Sequence, residues 1–371
     1  MKRPFAIAGL FLGLLLAALV LFFFWASTGR LSDDEMAQIK RYDAPAASAE
    51  RDTFTVMTYN LGYLSGMTNN QPVVRPDTLF ENNMERALNL IRDVDPDILA
   101  LQEVDYGGAR SAHVHQLDTI ATRLGYHSAA QAVNWDERYL PFPYGGPSVH
   151  FGRTLSGQAL LSKYPVRRHV RTVLPRPPQV FFRDAFYLSH LAQFSVVDIG
   201  GWPLVIINLH LEAFDVETRE KQARKVVELY ANLARQNFPV IMLGDVNSVA
   251  PAAKPTLPPD QRPKFAGDDT IEMLLSGTGL SPIFSEAAYM SGHDINTFPS
   301  AAPNRKLDYI LHEPILVVPV DREIRCGGAP PPSDHCAVVM SFMLPRPKKM
   351  LPDERIPDEE LPSLEQLLEQ E

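Results

Sequence analysis

Six short polar motifs in this chain each follow an apolar run, and together they hold the side chains of a metal–phosphate site. Hydrolysis of a phosphoester requires neutralisation of the phosphate charge, activation of a water and stabilisation of the leaving oxygen. Carboxylates bind hard divalent cations, and histidines move protons or donate to phosphate oxygens. The motifs are Thr58-Tyr59-Asn60, Gln102-Glu103-Val104, Asn208-Leu209-His210, Gly244-Asp245-Val246-Asn247, Leu307-Asp308-Tyr309 and Ser333-Asp334-His335.

The carboxylates of Glu103 and Asp245 are the first candidate ligands for a metal and an attacking water. Glu103 follows the apolar run 98–101, and a carboxylate at the mouth of a buried strand is a good ligand for a hard cation. Asp245 and Asn247 follow the run 240–243, and their alternate spacing puts both side chains on one side of an extended chain. Taken alone, a solvated strand end or an Asx turn explains each residue better.

The two histidine motifs contain candidate acid–base and phosphate-binding groups. Asp308 and His335 form a possible carboxylate–imidazole pair, in which the carboxylate fixes the tautomer of the ring. Asp334 is a candidate metal ligand or a residue that orients His335. His210 ends an apolar run and can donate to a phosphate oxygen, and Asn60 can hold a metal-bound carboxylate or a phosphate. Each of these residues also has an ordinary structural explanation, as a polar turn or a satisfied strand end.

The structural explanations of the single residues are less convincing for the whole set, because every candidate ends or follows a predicted apolar strand. Independent turns are not expected to supply Asn, Glu, His, Asp with Asn, Asp, and Asp-His in succession. The order of the motifs therefore favours one shared site at the ends of a sheet system.

Strand, loop and helix alternate between residues 52 and 344, which predicts one α/β domain. Several strands are continuously apolar, as expected for sheets covered on both faces. Helical spacing ends before Pro96 in one segment and at Gly125 in another. Strands are predicted at 54–59, 98–101, 204–207, 240–243, 309–311 and 338–342, and helices at 84–94, 117–124 and 223–233.

The N-terminus carries an apolar run of membrane-spanning length. Lys2 and Arg3 precede the run 5–26, and about 20 apolar residues cross a bilayer as a helix. Basic residues at the start favour a cytoplasmic N-terminus, and Trp25 stands where an interfacial aromatic belongs. We therefore predict a single-pass anchor over 1–26, with the following domain on the extracytoplasmic side. A cleaved signal peptide is the alternative.

The remaining segments complete the predicted organisation. Residues 27–51 are predicted to be a polar linker, 52–344 the catalytic domain, and 345–371 an acidic, proline-rich tail. The net charge of −9 does not suit a general nucleic-acid binder. Cys326 and Cys336 are too few for a zinc site and are either two free thiols or one disulfide. A monomer is expected.

The six motifs, with Ser156–Val166 as a central strand and turn, resemble the endonuclease/exonuclease/phosphatase superfamily over roughly 54–342. That superfamily includes deoxyribonuclease-I-like nucleases, inositol polyphosphate 5-phosphatases and neutral sphingomyelinases. The resemblance implies a four-layer αββα sandwich of two packed mixed sheets, here preceded by the N-terminal helix. It also implies a Mg²⁺-dependent phosphoesterase, with Mn²⁺ as a possible substitute. Glu103 is implied to bind the metal, with Asn60 beside it and Asp334 completing its environment.

The resemblance also implies the catalytic roles. Asp245 and Asn247 are implied to hold the attacking water and the phosphate, and His210 to stabilise the transition state. His335, paired with Asp308, is implied to act as a base or as a phosphate contact. The family mechanism assigns the base to this histidine or to the aspartate of the Gly-Asp-x-Asn motif, and the sequence leaves both open.

Three functions compete for this site. The leading hypothesis is an anchored phosphodiesterase or phosphatase, with a phospholipid head group as its candidate substrate. An extracytoplasmic nuclease is the alternative, and a non-catalytic binding protein on the same fold is the third. Arg153 is a candidate phosphate clamp. The nuclease hypothesis needs a basic strip along the cleft, for which the candidates are Arg153, Lys163, Arg167, Arg168, Arg171 and Arg183.

Overall fold

The core of the protein lies between two β-sheets, with helices on their outer faces. The computed structural model describes residues 2–236, 238–291 and 294–345. Its helices are α1 (Lys2–Ala26), α2 (Asp77–Val94), α3 (Gln116–Leu124), α4 (Phe181–Asp184), α5 (Val216–Ala234), α6 (Arg262–Phe265), α7 (Thr270–Thr278) and α8 (Glu286–Ser291). Single 3₁₀ segments lie at Asp33–Glu35, Gly62–Leu64, Ala109–Ser111, Pro147–Val149 and Pro251–Thr256.

The strands form one seven-stranded and one six-stranded sheet, called sheet I and sheet II. Sheet I has the order β1-β4-β5-β3-β2-β13-β12, and sheet II the order β10-β11-β9-β8-β7-β6. The pairs β2–β3 and β8–β9 are parallel, and the other pairs are antiparallel. The strands are β1 (Ala37–Arg41), β2 (Thr53–Asn60), β3 (Ile98–Asp105), β4 (Ser128–Leu140), β5 (Gly152–Ser162), β6 (Val166–Val173), β7 (Leu191–Ile199), β8 (Trp202–His210), β9 (Val240–Asp245), β10 (Ser281–Pro282), β11 (Asp308–His312), β12 (Val318–Arg325) and β13 (Ala337–Met343).

Alternation along the strands of sheet I separates two apolar layers. Val56 of β2 points into the layer between the sheets, whereas Met57 points to the outer layer with α2 and α3. The inner layer continues through sheet II to the apolar face of α5, which includes Val226. The result is the predicted four-layer αββα sandwich. Burial on both faces explains why the central strands read as continuous apolar runs.

Helix ends follow the predicted signals. Helix α2 stops at Val94, where Asp95 adopts a left-handed conformation one residue before Pro96. Helix α3 is closed by Gly125, whose φ of 70° suits glycine at this position. The run 5–26 is helical, and it is long and apolar enough to cross a membrane by length and composition.

The structure differs from the predicted free linker over 27–51. Ala37–Arg41 form β1, which pairs with β4 along the edge of sheet I. The backbone N–H of Ala47 also donates to the carbonyl of Lys163. The strand contains one large apolar residue, Ile39, and two basic residues. It therefore carries no alternating signal, although charged residues are typical of exposed edge strands.

Cys326 and Cys336 form a disulfide that closes the loop before β13. Of the two alternatives for these cysteines, the structure thus contains the bonded one. The predicted acidic tail begins at Pro345, and all its later residues lie outside the described part of the chain.

Candidate active site

The two parallel strand pairs bring four of the six motifs to one end of the sandwich. In sheet I, Asn60 at the end of β2 lies opposite Gln102 of β3, one residue before Glu103. In sheet II, His210 at the end of β8 lies opposite Asp245 at the end of β9. The antiparallel strand β11 starts at the same level, because Asp308 pairs with Asp245. Strand topology therefore explains why motifs far apart in sequence meet.

Two local departures from regular strand geometry aim the acidic residues. Glu103 has a φ of 51°, within a register shift between Leu101 and Val104 that interrupts the β3–β5 pairing. Such bulges redirect side chains next to functional sites. Gly244 has a φ of 132°, and a Cβ there would lie 2.0 Å from the carbonyl oxygen of Leu209. Only glycine permits this close approach of β8 and β9 beneath Asp245.

Two asparagine side chains connect the carboxylates. The amide nitrogen of Asn60 donates to Glu103 Oε1 at 3.2 Å and to Asp245 Oδ2 at 2.9 Å. The amide nitrogen of Asn69 donates to Glu103 Oε2 at 2.9 Å and to Asp334 Oδ2 at 3.3 Å. Three carboxylates from three motifs therefore form one connected cluster.

His335 is held between two carboxylates. Its Nδ1 lies 2.9 Å from Asp308 Oδ2, and its Nε2 lies 3.6 Å from Asp245 Oδ2. Burial disfavours the charged imidazole, but the charges of Asp308 and Asp245 outweigh burial and raise the pKa of His335 well above its ordinary value. Ser333 fixes the backbone here, because its Oγ accepts from the His335 N–H and donates to the carbonyl of Asn60.

His210 and Asn247 complete the surroundings of Asp245. His210 Nε2 lies 3.8 Å from both Glu103 Oε1 and Asp245 Oδ2. The backbone N–H of Asn247 donates to Asp245 Oδ1 at 3.0 Å, and its side-chain amide donates to the carbonyl of Leu211. Burial raises the pKa of Asp245, which His335 and His210 oppose and Asp308 reinforces. All predicted site residues except Arg153 thus lie in one cluster.

The cluster has the donor set of a hard divalent cation. Burial raises the pKa of Asp334 to about 6, and the nearby Glu103 carboxylate adds to this shift, whereas His335 and Asn69 oppose it. The Oδ1 of Asn69 is buried and has no hydrogen-bond partner among the described residues. Crowded carboxylates beside an unpaired amide oxygen fit an oxygen-liganded cation. A second group of close potential ligand atoms comprises Asp245, Asp308 and His335.

The structure does not place Arg153 as a phosphate clamp. Its guanidinium pairs with the carboxylate of Asp136 and donates to the carbonyls of Glu137 and Thr154. Asp136 also accepts from the backbone N–H groups of Arg30 and Leu31, just after α1. Arg153 therefore neutralises a buried carboxylate that holds the chain at the end of the N-terminal helix.

Two of the other basic candidates, Lys163 and Arg167, lie away from the cleft. Lys163 follows the end of β5 that pairs with the start of β3, away from Glu103, and it bonds Asp95 at 2.7 Å. Arg167 pairs with Asp198 at 2.7 Å, near the end of β7 that lies far from His210. Strand register thus puts these two cations at the opposite end of the sandwich.

Sequence reasoning missed Asn69 and a buried group behind His210. Tyr187 Oη donates to Glu212 at 2.9 and 2.8 Å, and His190 Nδ1 lies 3.5 Å from the same carboxylate. The rings of His190 and His210 are 5.4 Å apart. Burial lowers the pKa of His190 well below its ordinary value, with His210 adding to the effect. Glu212 carried a signal, because it lies two residues beyond His210, whereas Asn69 lies in an irregular loop.

Comparison with known proteins agrees with this architecture. Residues 57–335 match the sequence profile of the Endonuclease/Exonuclease/phosphatase family, and the chain belongs to that family. Its members are hydrolases that act on phosphoester bonds. No protein of curated function matches the chain in sequence.

Solved structures share the fold at low sequence identity. An endonuclease/exonuclease/phosphatase from Beutenbergia cavernae is 19% identical, with 79% of this chain and 72% of that chain covered and a TM-score of 0.56. The human Nocturnin catalytic domain, which holds a sulfate anion, is 15% identical, with coverages of 85% and 99% and a TM-score of 0.53. Truncated TDP2 from Caenorhabditis elegans is 17% identical, with coverages of 78% and 97% and a TM-score of 0.50.

Proposed function

We propose that this protein is a membrane-anchored, divalent-metal-dependent phosphoesterase whose substrate is a phosphodiester or phosphomonoester of a phospholipid head group. The observation that carries the proposal is the convergence of Glu103, Asp245 and His335 in one buried cluster. A carboxylate set on one side and a carboxylate-bound imidazole on the other match the two needs of phosphoester hydrolysis.

Glu103 and Asp334 would hold the cation, with the side chains of Asn60 and Asn69 beside them. The unpaired oxygen is that of Asn69, since Asn60 Oδ1 accepts from the Gly62 N–H. Mg²⁺ is the expected ion, because it takes oxygen ligands and few protein carboxylates, and Mn²⁺ is a possible substitute. When bound, the ion polarises the phosphoryl oxygen and offsets negative charge. The second ligand group suits a cation less, because Asp308 already bonds His335 Nδ1.

The surrounding residues then have two tasks, which are to accept the proton of the water and to stabilise the negative charge on the phosphate. Asp245, whose Oδ1 accepts from the backbone N–H of Asn247, takes the proton of the attacking water, and the side chain of Asn247 is proposed to help position that water. Asp308 fixes the His335 ring so that Nε2 faces Asp245 and contacts a phosphate oxygen. His210 lies at the same distance from Glu103 and Asp245 and donates to the developing charge. Tetrahedral-anion binding has a precedent in the sulfate of Nocturnin.

Two features support an extracytoplasmic, membrane-bound location. Helix α1 is long and apolar enough to span a bilayer, and residues 5–22 are exposed. The Cys326–Cys336 disulfide is typical of oxidising compartments outside the cytoplasm. The basic N-terminus orients the helix with its start in the cytoplasm.

The substrate test is a panel assay of the full chain in detergent micelles. Phospholipids, inositol phosphates, DNA and RNA are incubated with Mg²⁺ or with chelator, and head-group, phosphate and nucleotide release are measured. We expect release from lipid, loss with chelator, and loss in Glu103→Gln but not in the exposed Glu81→Gln control. Hydrolysis of nucleic acid alone would establish the nuclease alternative, and full activity in chelator would refute the metal.

A further inference from the structure

Large apolar side chains are exposed on the loops around the active site. Phe181, Phe182 and Phe214 are 68%, 62% and 86% exposed, and Tyr144 is 73% exposed. Single exposed apolar residues are ordinary, but several on neighbouring loops mark an interaction surface. The ring of Tyr144 lies 5.8 Å from that of Phe142, which packs with Phe186 against one small apolar cluster. We call these four residues, with Val180, the aromatic rim.

The rim belongs to the mouth of the active site. Phe181 and Phe182 begin the segment that reaches Tyr187, whose hydroxyl bonds Glu212. Phe214 lies two residues beyond Glu212, and its backbone N–H donates to that carboxylate at 3.0 Å. Both parts of the rim are therefore joined through the carboxylate that lies two residues beyond His210.

The last turns of α1 pack against the same loops. The ring of Phe23 lies 5.3 Å from that of Phe181 and 5.5 Å from that of Phe186. The ring of Phe22 lies 5.8 Å from that of Tyr139 at the end of β4. Phe23 precedes the helix end at Ala26 by three residues, or about 4.5 Å along the axis. The rim thus lies level with the end of the membrane-spanning segment.

The segment that follows α1 is bonded to the catalytic domain. Backbone N–H groups of Arg30 and Leu31 donate to Asp136 at 2.6 and 2.8 Å, and Arg153 neutralises that carboxylate. Asp136 lies three residues beyond Val133, whose level in the sheet is that of Val104 beside Glu103. At about 3.3 Å per residue, the attachment point lies roughly 10 Å beyond the level of Glu103 along the strand direction, on a strand separated from β3 by β5.

We infer that the aromatic rim docks into the lipid surface, so that the active site opens directly onto the head groups of the membrane that holds α1. The inference rests on the proposed membrane anchor and names the form of substrate that the site takes, a phosphoester presented at a bilayer. The lipid surface is the fitting partner because the rim is continuous with a lipid-facing helix. Because the chain after α1 is fixed to the catalytic domain, the active site has a set orientation toward the membrane, whereas a domain on a free linker would have to find that orientation.

Photo-crosslinking of the full chain in phosphatidylcholine nanodiscs tests the orientation independently of catalysis. Benzoylphenylalanine is placed at Phe182, at Phe214 or, as a control, at Ile315. Ile315 is 76% exposed and follows β11 at the end opposite Asp308. We expect lipid adducts at Phe182 and Phe214 and no lipid adducts at Ile315. Equal labelling at all three positions, or none at Phe182 and Phe214, would overturn the inference.

A second arm measures turnover in the same membranes. The Phe181→Ser/Phe182→Ser variant should lose at least about tenfold in lipid hydrolysis, because it removes two apolar rings that the docked rim would bury in lipid. Its hydrolysis of a soluble diester, bis(p-nitrophenyl) phosphate, should not change. Rim crosslinking without lipid hydrolysis would keep the docking and reject the proposed substrate. Unchanged lipid hydrolysis in the variant, with background crosslinking, would reject the docking and keep the function.

Discussion

His335 is fixed at one ring nitrogen and presented to the site by the other. Asp308 bonds Nδ1 at 2.9 Å, which leaves Nε2 facing Asp245 at 3.6 Å. A buried carboxylate in this position sets the tautomer and orientation of the ring and stabilises its charge. The two residues should therefore behave as one catalytic unit.

A double-mutant cycle tests that unit. We expect His335→Ala to lower kcat/KM by about 10²–10³-fold, the usual cost of removing one donor to the charge that develops on a reacting oxygen. Asp308→Asn should lower it by less, and the double variant should be no slower than His335→Ala, because residues acting together are non-additive. Phosphoester turnover is the measurement, and Asp93→Asn on the exposed side of α2 is the control. Additive losses would show that the residues act separately.

Asn69 is expected to support the cation through the carboxylates that it bridges. Asn69→Ala removes the bonds to Glu103 and Asp334 and should raise the Mg²⁺ concentration for half-maximal activity by about 10–100-fold. Activity at saturating Mg²⁺ should largely return. A Mg²⁺ titration measures this, with Asn82→Ala on the exposed face of α2 as the control. An unchanged metal requirement would remove Asn69 from the site.

Strand topology explains why several candidate residues meet, because it brings strand ends together. Asn60, His210 and Asp245 end β2, β8 and β9, and Asp308 begins β11 at the same level. Asn69 escaped detection because its position depends on the path of an irregular loop. The prediction for Arg153 rests on residue type, which suits phosphate, and the sequence does not show that its partner in the structure is Asp136.

A network of buried side-chain hydrogen bonds, here called the polar ladder, joins strands of the two sheets next to the site. Asn208 donates to the carbonyl of Leu101 at 3.1 Å and to Gln193 at 2.9 Å, and it accepts from Gln102 at 2.6 Å. Buried amide groups without partners are costly, so these bonds fix the relative position of the sheets. Asn208, although part of a predicted motif, is structural.

Asn208→Ala should lower the free energy of unfolding by about 3 kcal/mol, since it leaves buried amides unpaired. Urea denaturation of the full chain in micelles measures the change. The exposed Asn89→Ala variant should change the free energy of unfolding by less than about 0.5 kcal/mol. A loss of similar size in both variants would argue against the ladder.

Glu137, near the C-terminal end of β4, has a carboxyl group whose protonated form is favoured by folding. Burial raises the pKa of Glu137 to about 8, and Asp136 adds to this, whereas Arg176 and Arg153 oppose it. Because the folded pKa lies above the unfolded one, the stability contribution is present at low pH and is lost as the pH rises from about 4.5 to about 8.

Glu137→Gln should therefore raise the melting temperature at about pH 9 by a few degrees and change it little at about pH 5. Thermal denaturation at both pH values is the measurement, and the exposed Glu81→Gln variant controls for the amide itself. A gain that is larger at the acidic pH would reverse the sign and exclude a protonated Glu137.

Central strands are easier to predict from sequence than edge strands. Strand β9 is buried throughout and was evident as an apolar run. The edge strands β1 and β6 carry Lys40, Arg41, Arg167 and Arg168, and their residues are partly or fully exposed at most positions. Charged edge strands are stabilised by pairing with a neighbour, so their own composition gives a weak signal.

In the whole protein, the C-terminal end of α1 and the candidate active site lie toward the same end of the sandwich. The composition predicted the helix, which is long and apolar enough to cross a membrane by length and composition. It did not predict the fixed exit of the chain, which depends on Asp136 and Arg153 more than a hundred residues away. Long-range pairing of this kind leaves no local pattern.

The central claim is that one cation and one imidazole act on the same phosphate. The most direct measurement is a crystal structure of the protein with Mn²⁺ and orthovanadate, with anomalous data collected at the manganese edge. We expect a manganese peak between Glu103 and Asp334, and vanadate in contact with His210, Asn247 and His335. A manganese peak in a different pocket, or vanadate bound away from His335, would contradict it.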